Sequence, residues 1–309
     1  MEYLEKFKEF EKQYSGPIDY SLRFPSTEAN YPHIYFSACV HGNEIGSLPA
    51  LFELIENLHS KKINYPGTIT ISLGNIEAIK QDVRFVEKDM NRHFGDSQTH
   101  HPEAQRANKL CQLIDECDLF IDLHQTIEPT SEPFFVLSDV SENRNFAQAL
   151  ALINKAILRS PTNDSYLTAT TYAYRKNKIA VTIELSQKGI NTQATQLAKK
   201  IFTKTFDLAC AISTGKKIED LCKGCAPLTW LAITHYQEFD GPLCHLTEGF
   251  SNLDFVSKGQ VLGYKNNGEA FTAPFDGFVL FPKYVERDEK GASIQTPPKD
   301  IIALTKIIS

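Results

Sequence analysis

The sequence predicts an α/β fold in which a mixed central sheet is flanked by helices and followed by a smaller C-terminal all-β domain. Three observations carry this. Up to about Thr214, short β-rich apolar runs alternate with stretches of helical spacing, the pattern of a sheet covered by helices. From Leu228 onward β-formers, Gly and Pro dominate and no long helical pattern survives. The hydrophobic fraction of 42% and charged fraction of 23% over 309 residues are those of an ordinary globular chain, long enough for one large domain or two smaller ones.

Each element follows from its residues. Tyr31 to Val40 (YPHIYFSACV) reads as a buried strand. Ile45 to Leu58 places Leu48, Leu51, Phe52, Leu54, Ile55 and Leu58 at helical spacing. Pro49 is tolerated there only in the first turn, so this helix starts near Ser47. Gly67 to Leu73 is a strand ending at Gly74-Asn75, and Pro102 to Asp115 is a helix. Leu119 to Leu123 and Phe134 to Leu137 read as strands. Ser141 to Leu158 reads as helical, with Ser141 as cap before Glu142. Ile179 to Leu185 is a strand and Thr192 to Ile212 a long helix. The expected division is an α/β domain over residues 1–213, a connector over 214–226 and a β domain over 227–309.

The net charge of −6 weighs against nucleic acid as a partner, because phosphate binding favours a concentrated positive field. It leaves room for an anionic small molecule held by a few arginines. Met1 to Gln13 (MEYLEKFKEFEKQ) is charged throughout and does not read as a signal peptide, and no apolar run is long enough to span a bilayer. The seven scattered cysteines, Cys222 and Cys225 among them, read as reduced thiols in a cytosol. A cytoplasmic protein without a membrane partner is expected, and a homo-oligomer is compatible with the sequence.

The sharpest chemical signal is His41-Gly42-Asn43-Glu44, where an apolar strand gives way to a helix. His and Glu three positions apart across such a turn can converge, and Gly42 lets the backbone bend tightly. Both are zinc ligands, and a hydrolytic zinc site wants three protein ligands with one position left open. His124 is the candidate third ligand, because it follows the apolar strand FIDL and so sits at a strand's C-terminal end. An isolated HxxE pair is more often a surface or capping pair; the second strand end is what lifts this one. Asp122 is either an acceptor that orients a ligand or an ordinary buried carboxylate. Glu184, inside AVTIEL, is either a general base beside the metal or a solvent-facing strand residue. Arg84, Asn91 and Arg92, in VRFVEKDMNRHFG, can bind carboxylates and stabilise an oxyanion, and taken alone would be surface residues.

HGNE at His41, DMNR at Asp89 to Arg92, DLH at Asp122 to His124 and TIEL around Glu184 occur in that order. This pattern resembles the succinylglutamate desuccinylase/aspartoacylase family, which is related to the zinc carboxypeptidases. The resemblance covers roughly Tyr31 to Ile212, and TAPFDGFVLFPK (Thr272 to Lys283) is similar to the family's β domain. It implies a zinc carboxypeptidase-like sheet and one Zn2+ per chain on His41, Glu44 and His124. It implies Glu184 as the residue that activates water and passes the proton to the leaving nitrogen. Arg84 matches the arginine that polarises the scissile carbonyl, and Asn91 and Arg92 match the pair that grips a substrate carboxylate. For a second carboxylate, Arg175 lies near the family's position in a shifted register, with Tyr172 or Tyr174 as substitutes. The resemblance thus implies a deacylase for a small N-acyl amino acid. The alternatives are a metallocarboxypeptidase acting on a short peptide with a free carboxylate, and a binding protein that keeps the zinc site without turnover.

Overall fold

The computed structural model describes residues 2–160, 167–294 and 298–308. They fall into two compact units, Met1–Gln125 with Phe134–Leu228, and Thr126–Pro133 with Thr229–Ser309. No helix among the described residues is long and apolar enough to cross a membrane.

The first unit runs α1 (Glu2–Tyr14), β1 (Ser21–Phe24), β2 (Ile34–Ala38), α2 (Leu48–His59), β3 (Ile69–Leu73), α3 (Ile76–Gln81), α4 (Pro102–Glu116), β4 (Leu119–Thr126), β5 (Phe134–Ser138), α5 (Ser141–Leu150), β6 (Lys155–Arg159), α6 (Ala169–Arg175), β7 (Ile179–Gln187), α7 (Thr192–Ser213) and α8 (Ile218–Leu221). Its strands lie in the order β1-β3-β2-β4-β7-β5-β6. Strand β2 is parallel to β3 and β4, and β5 is parallel to β6. The pairs β1–β3 and β5–β7 are antiparallel, so the sheet is mixed. Strands β2, β3 and β4 are buried along their whole length, as strands covered on both faces are.

Successive strand residues face opposite sides of a sheet. Tyr35 stacks on Phe120 in a core shared with α4 and α6. Its neighbour Phe36 meets Phe202 and Phe206 of α7 on the other side. Helices therefore cover both faces, and each fully buried Phe contributes roughly 2–3 kcal/mol of burial. Helix α2 begins at Leu48 with Pro49 in its first turn, as the proline requires.

Three readings change, and one helix is new. Helix α1 was hidden in a charged segment because only Leu4 and Phe7 are fully buried on it. The helical reading from Ser141 to Leu158 covers two elements. Helix α5 ends at Leu150, where Ala151 adopts a left-handed conformation, and Lys155 to Arg159 form β6. A short apolar run such as KAIL suits helix or strand, and parallel pairing with β5 decides it. Ser141 is the first residue of α5 rather than its cap. The connector carries α8, which packs on α5 and belongs to the first unit.

The second unit is built from β8 (Thr229–Glu238), β9 (His245–Leu246), β10 (Phe255–Val256), β11 (Val261–Tyr264), β12 (Ala270–Thr272), β13 (Gly277–Leu280) and β14 (Asp300–Ile307). Its antiparallel pairings run β8–β14–β13–β10 and β12–β11–β9. Leu246, Val256, Leu262, Phe271, Val279 and Leu304 form its core. Asn252 ties Thr126–Pro133 to this unit, since its side chain donates to the carbonyls of Glu128 and Pro129.

Candidate metal centre

Strands β2 and β3 end together, Ala38 level with Leu73, while β4, level with them at Leu123, runs on to Thr126, so that His124 lies within the strand near its end rather than after it. The segments that follow them therefore meet along one edge of the sheet, where open α/β folds place their sites. The turn after β2 carries His41 and Glu44. The loop beyond β3 and α3 carries Arg84 to Arg92. His124 follows Leu123 directly.

Gly42 is needed in that turn. A Cβ there would lie 2.2 Å from the backbone carbon of Ala78, and the Gly42 N–H donates to the Arg84 carbonyl at 3.0 Å. The turn thus packs against α3 with no room for a side chain.

The structure brings His41, Glu44 and His124 together, with one potential ligand atom from each within 4.8 Å of the others. His41 Nδ1 lies 2.8 Å from Glu44 Oε1, and His124 Nδ1 lies 2.9 Å from Glu44 Oε2. All three side chains are at most 4% exposed. The opposite ring nitrogens face carboxylates: His41 Nε2 is 3.0 Å from Asp89 Oδ1, and His124 Nε2 is 2.8 Å from Asp122 Oδ2. When each Nε2 donates its hydrogen there, each neutral imidazole turns an Nδ1 lone pair toward the Glu44 carboxylate. His41 Nδ1 is buried and makes no hydrogen bond despite that short approach. Facing lone pairs in a buried place call for a positive charge between them, and the N, O, N donor set fits Zn2+.

The electrostatics carry the same demand. Burial opposes the charge of Glu44, but His41 and His124 outweigh it and hold the carboxyl well below the usual range. Burial would lower the His124 pKa, yet Asp122 and Glu44 raise it well above that of a free histidine. Asp89 is likewise held low, because His41 and Arg84 outweigh its burial. Three carboxylates around two imidazoles are satisfied by a proton or by a divalent cation.

Asp122 is fully buried on the same face of β4 as His124, two residues along. Its contact with His124 Nε2 has the geometry of an orienting acceptor, as does that of Asp89 with His41 Nε2. Asp89 was visible only as the acid of DMNR, with nothing in the sequence to tie it to a histidine 48 positions away. Asp122→Asn is expected to weaken zinc binding ~10–100-fold, the scale of a lost outer partner. Chelator competition measures this, and an affinity within twofold of the parent would remove Asp122 from that role.

Glu184 lies on β7 next to β4 and is 7% exposed, with its Oε2 lacking any hydrogen-bond partner. Burial pushes its carboxyl up to about 7; the charge of Glu44 adds to this, while His124, Arg84 and His41 act against it. It thus shares one electrostatic neighbourhood with the cluster. Arg84 reaches in as well: Nη1 donates to Glu44 Oε1 at 2.8 Å, and Nη2 lies 3.6 Å from Asp89 Oδ2.

Asn91 spends its Oδ1 on the N–H of Ala169 at 2.9 Å, which leaves its amide NH2 as the donor end. Arg92 donates from Nη1 to the Asn91 carbonyl at 2.6 Å and lies 3.7 Å from Asp89. Tyr172 turns its hydroxyl elsewhere, and Arg175 stands exposed at the end of α6. The Tyr172 hydroxyl donates to Asp115 at 2.9 Å, near the end of α4. Arg175 closes α6, which then feeds the start of β7 at Ile179. Glu184 is five residues farther up that strand, about 17 Å at ~3.3 Å per residue.

Gln125 is a residue the sequence did not flag. Its N–H donates to Glu44 Oε2 at 3.0 Å, its Oε1 accepts from Gly46, and its NH2 donates to the carbonyls of Gln187 and Gly189. It stitches together the ends of the elements that carry Glu44, His124 and Glu184. His101 caps α4 by accepting from the Ala104 N–H.

A family model described as the succinylglutamate desuccinylase/aspartoacylase catalytic domain matches residues 30–208. The succinylglutamate desuccinylase of Pseudomonas fluorescens is 25% identical over 261 residues, covering 78% of this chain and 75% of that protein. The corresponding Pseudomonas paraeruginosa protein is 32% identical over 167 residues, half of each chain. In the crystal structure of the Vibrio parahaemolyticus protein of the same description, the match has a TM-score of 0.69 at 18% identity and spans 94% of this chain and 86% of that one.

Proposed function

The chain belongs to the succinylglutamate desuccinylase/aspartoacylase family, and on that premise we propose that it hydrolyses the amide bond of an N-acyl amino acid. The observation that carries this reading is the buried His41–Glu44–His124 cluster with the raised carboxyl of Glu184 in the same field. A Zn2+ held by the Nδ1 atoms of His41 and His124 and the carboxylate of Glu44 would supply a Lewis acid that polarises a carbonyl and lowers the pKa of water.

The chain's own groups do the rest. Glu184 accepts a proton from the attacking water and delivers it to the departing nitrogen, a role its raised pKa suits near neutral pH. Arg84 donates to the carbonyl oxygen as negative charge develops there. The free NH2 of Asn91 and the guanidinium of Arg92 hold the substrate carboxylate. We assign the chemistry to the first unit, which contains every one of these residues.

The test is a hydrolysis screen over N-acetyl, N-succinyl and N-formyl amino acids, with dipeptides as the competing class and metal analysis in parallel. Turnover of an N-acyl amino acid by zinc-loaded protein is expected. Preference for dipeptides would make it a peptidase, and no turnover of either class would sink the reading.

A further inference from the structure

Glu103 is 2% exposed, in the first turn of α4, and plays no part in the chemistry above. Its Oε1 accepts from two consecutive backbone N–H groups, Val86 at 2.8 Å and Glu87 at 3.0 Å. These residues lie midway along a loop without helix or strand, from Asp82 to Asp89. Arg84 stands two positions before the clamp and Asp89 two positions after it. Asn91 and Arg92 follow in the short turn Met90–Arg92.

This placement matters because the loop has little else to hold it. The side chains of Phe85 and Val86 are exposed and bury no anchor. On the near side the Arg84 carbonyl accepts from Gly42, which ties the loop to the ligand-bearing turn. On the far side Asp89 reaches His41 and accepts from the Asn91 N–H. Between them the backbone is fixed by the Glu103 carboxylate. A carboxylate accepting two N–H groups makes stronger bonds than a neutral acceptor would. Burial opposes its charge, yet the N–H groups of Glu87, Val86 and Glu103 itself outweigh this and hold it below the usual carboxylate range. Its second oxygen lies 3.4 Å from His101 Nδ1.

We propose that Glu103 is a positioning residue for the reaction inferred above: it holds the loop so that Arg84, Asp89, Asn91 and Arg92 stand in register with the His41–Glu44–His124 cluster. The clamp needs an oxygen at Oε1 and not the second oxygen. A glutamine keeps that oxygen in the same place. An alanine lacks it.

The experiment compares Glu103→Ala with Glu103→Gln in the full chain. In Glu103→Ala, hydrogen exchange at the Val86 and Glu87 amides should rise at least ~10-fold, as expected when a protecting hydrogen bond is lost. Its kcat/KM on the best N-acyl amino acid should fall ~10–100-fold, as for a misplaced catalytic group, with zinc stoichiometry unchanged. Glu103→Gln should restore both exchange protection and kcat/KM. Unchanged exchange in Glu103→Ala would overturn the clamp. Raised exchange with normal kcat/KM would overturn its role in positioning, and a glutamine variant as poor as alanine would show that charge, not the acceptor, is required. Absence of turnover by the parent protein would count against the proposed reaction, a separate result from the exchange rates, which are read without substrate.

Discussion

Glu184→Gln is expected to keep zinc and lose at least ~100-fold in kcat, the scale of a missing general base. The substitution preserves shape and removes only the ability to take and return a proton. Because Glu184 is buried and its Oε2 has no hydrogen-bond partner, the amide disturbs no existing bond of that atom. The sign of the pH effect follows from the same environment. Burial pushes the carboxyl up to about 7, and it must be ionised to act, so kcat/KM should fall on the acid side. Each positive charge brought into the site moves that limb lower, since it favours the carboxylate. The glutamine variant should lose the limb. Rapid-quench or steady-state rates across pH, with metal content checked on the same samples, decide it. Near-normal turnover with zinc present would remove Glu184 from the proton transfers.

His41→Ala is expected to lose stoichiometric zinc. It removes one of three ligand atoms, so the loss of affinity should exceed the ~10–100-fold expected of an outer partner such as Asp122. Native mass spectrometry and elemental analysis after dialysis read this directly. Affinity in the parent should rise with pH, because His124 is held protonated by Asp122 and Glu44 against its burial and must give up that proton to act as a ligand. Circular dichroism separates metal loss from unfolding. Asp89 is partly exposed, at 19% of its side chain, and water can serve it once His41 is gone. A folded variant with one zinc per chain would take His41 out of the site.

The parts of this protein that could be read along the chain are those set by local physics. The strand–turn–helix at HGNE, the apolar start of β4 before His124, Pro49 in the first turn of α2 and the long helix α7 depend on neighbours a few residues away. Periodicity and proline stereochemistry therefore reported them correctly. The cluster of His41, Glu44 and His124 was legible because the end of β2 and the C-terminal part of β4 carry it and these parallel strands lie in register. Where local signals were balanced, the reading failed: KAIL after α5 suits either helix or strand, and only pairing with β5 made it β6.

What the tertiary structure alone decided are contacts between residues far apart in sequence. Asp89 belongs to His41, Gln125 binds three elements, and Glu103 holds a loop 16 positions earlier, all through hydrogen bonds that leave no periodic trace. The bond from the Tyr172 hydroxyl to Asp115 on α4 is of the same kind. The sequence by itself determined which residues could hold zinc and the order of most of the elements that present them. Only the folded chain determined which carboxylates orient those ligands and what pins the arginine loop. Burial makes each such hydrogen bond obligatory, whereas sequence records only that a polar residue is present.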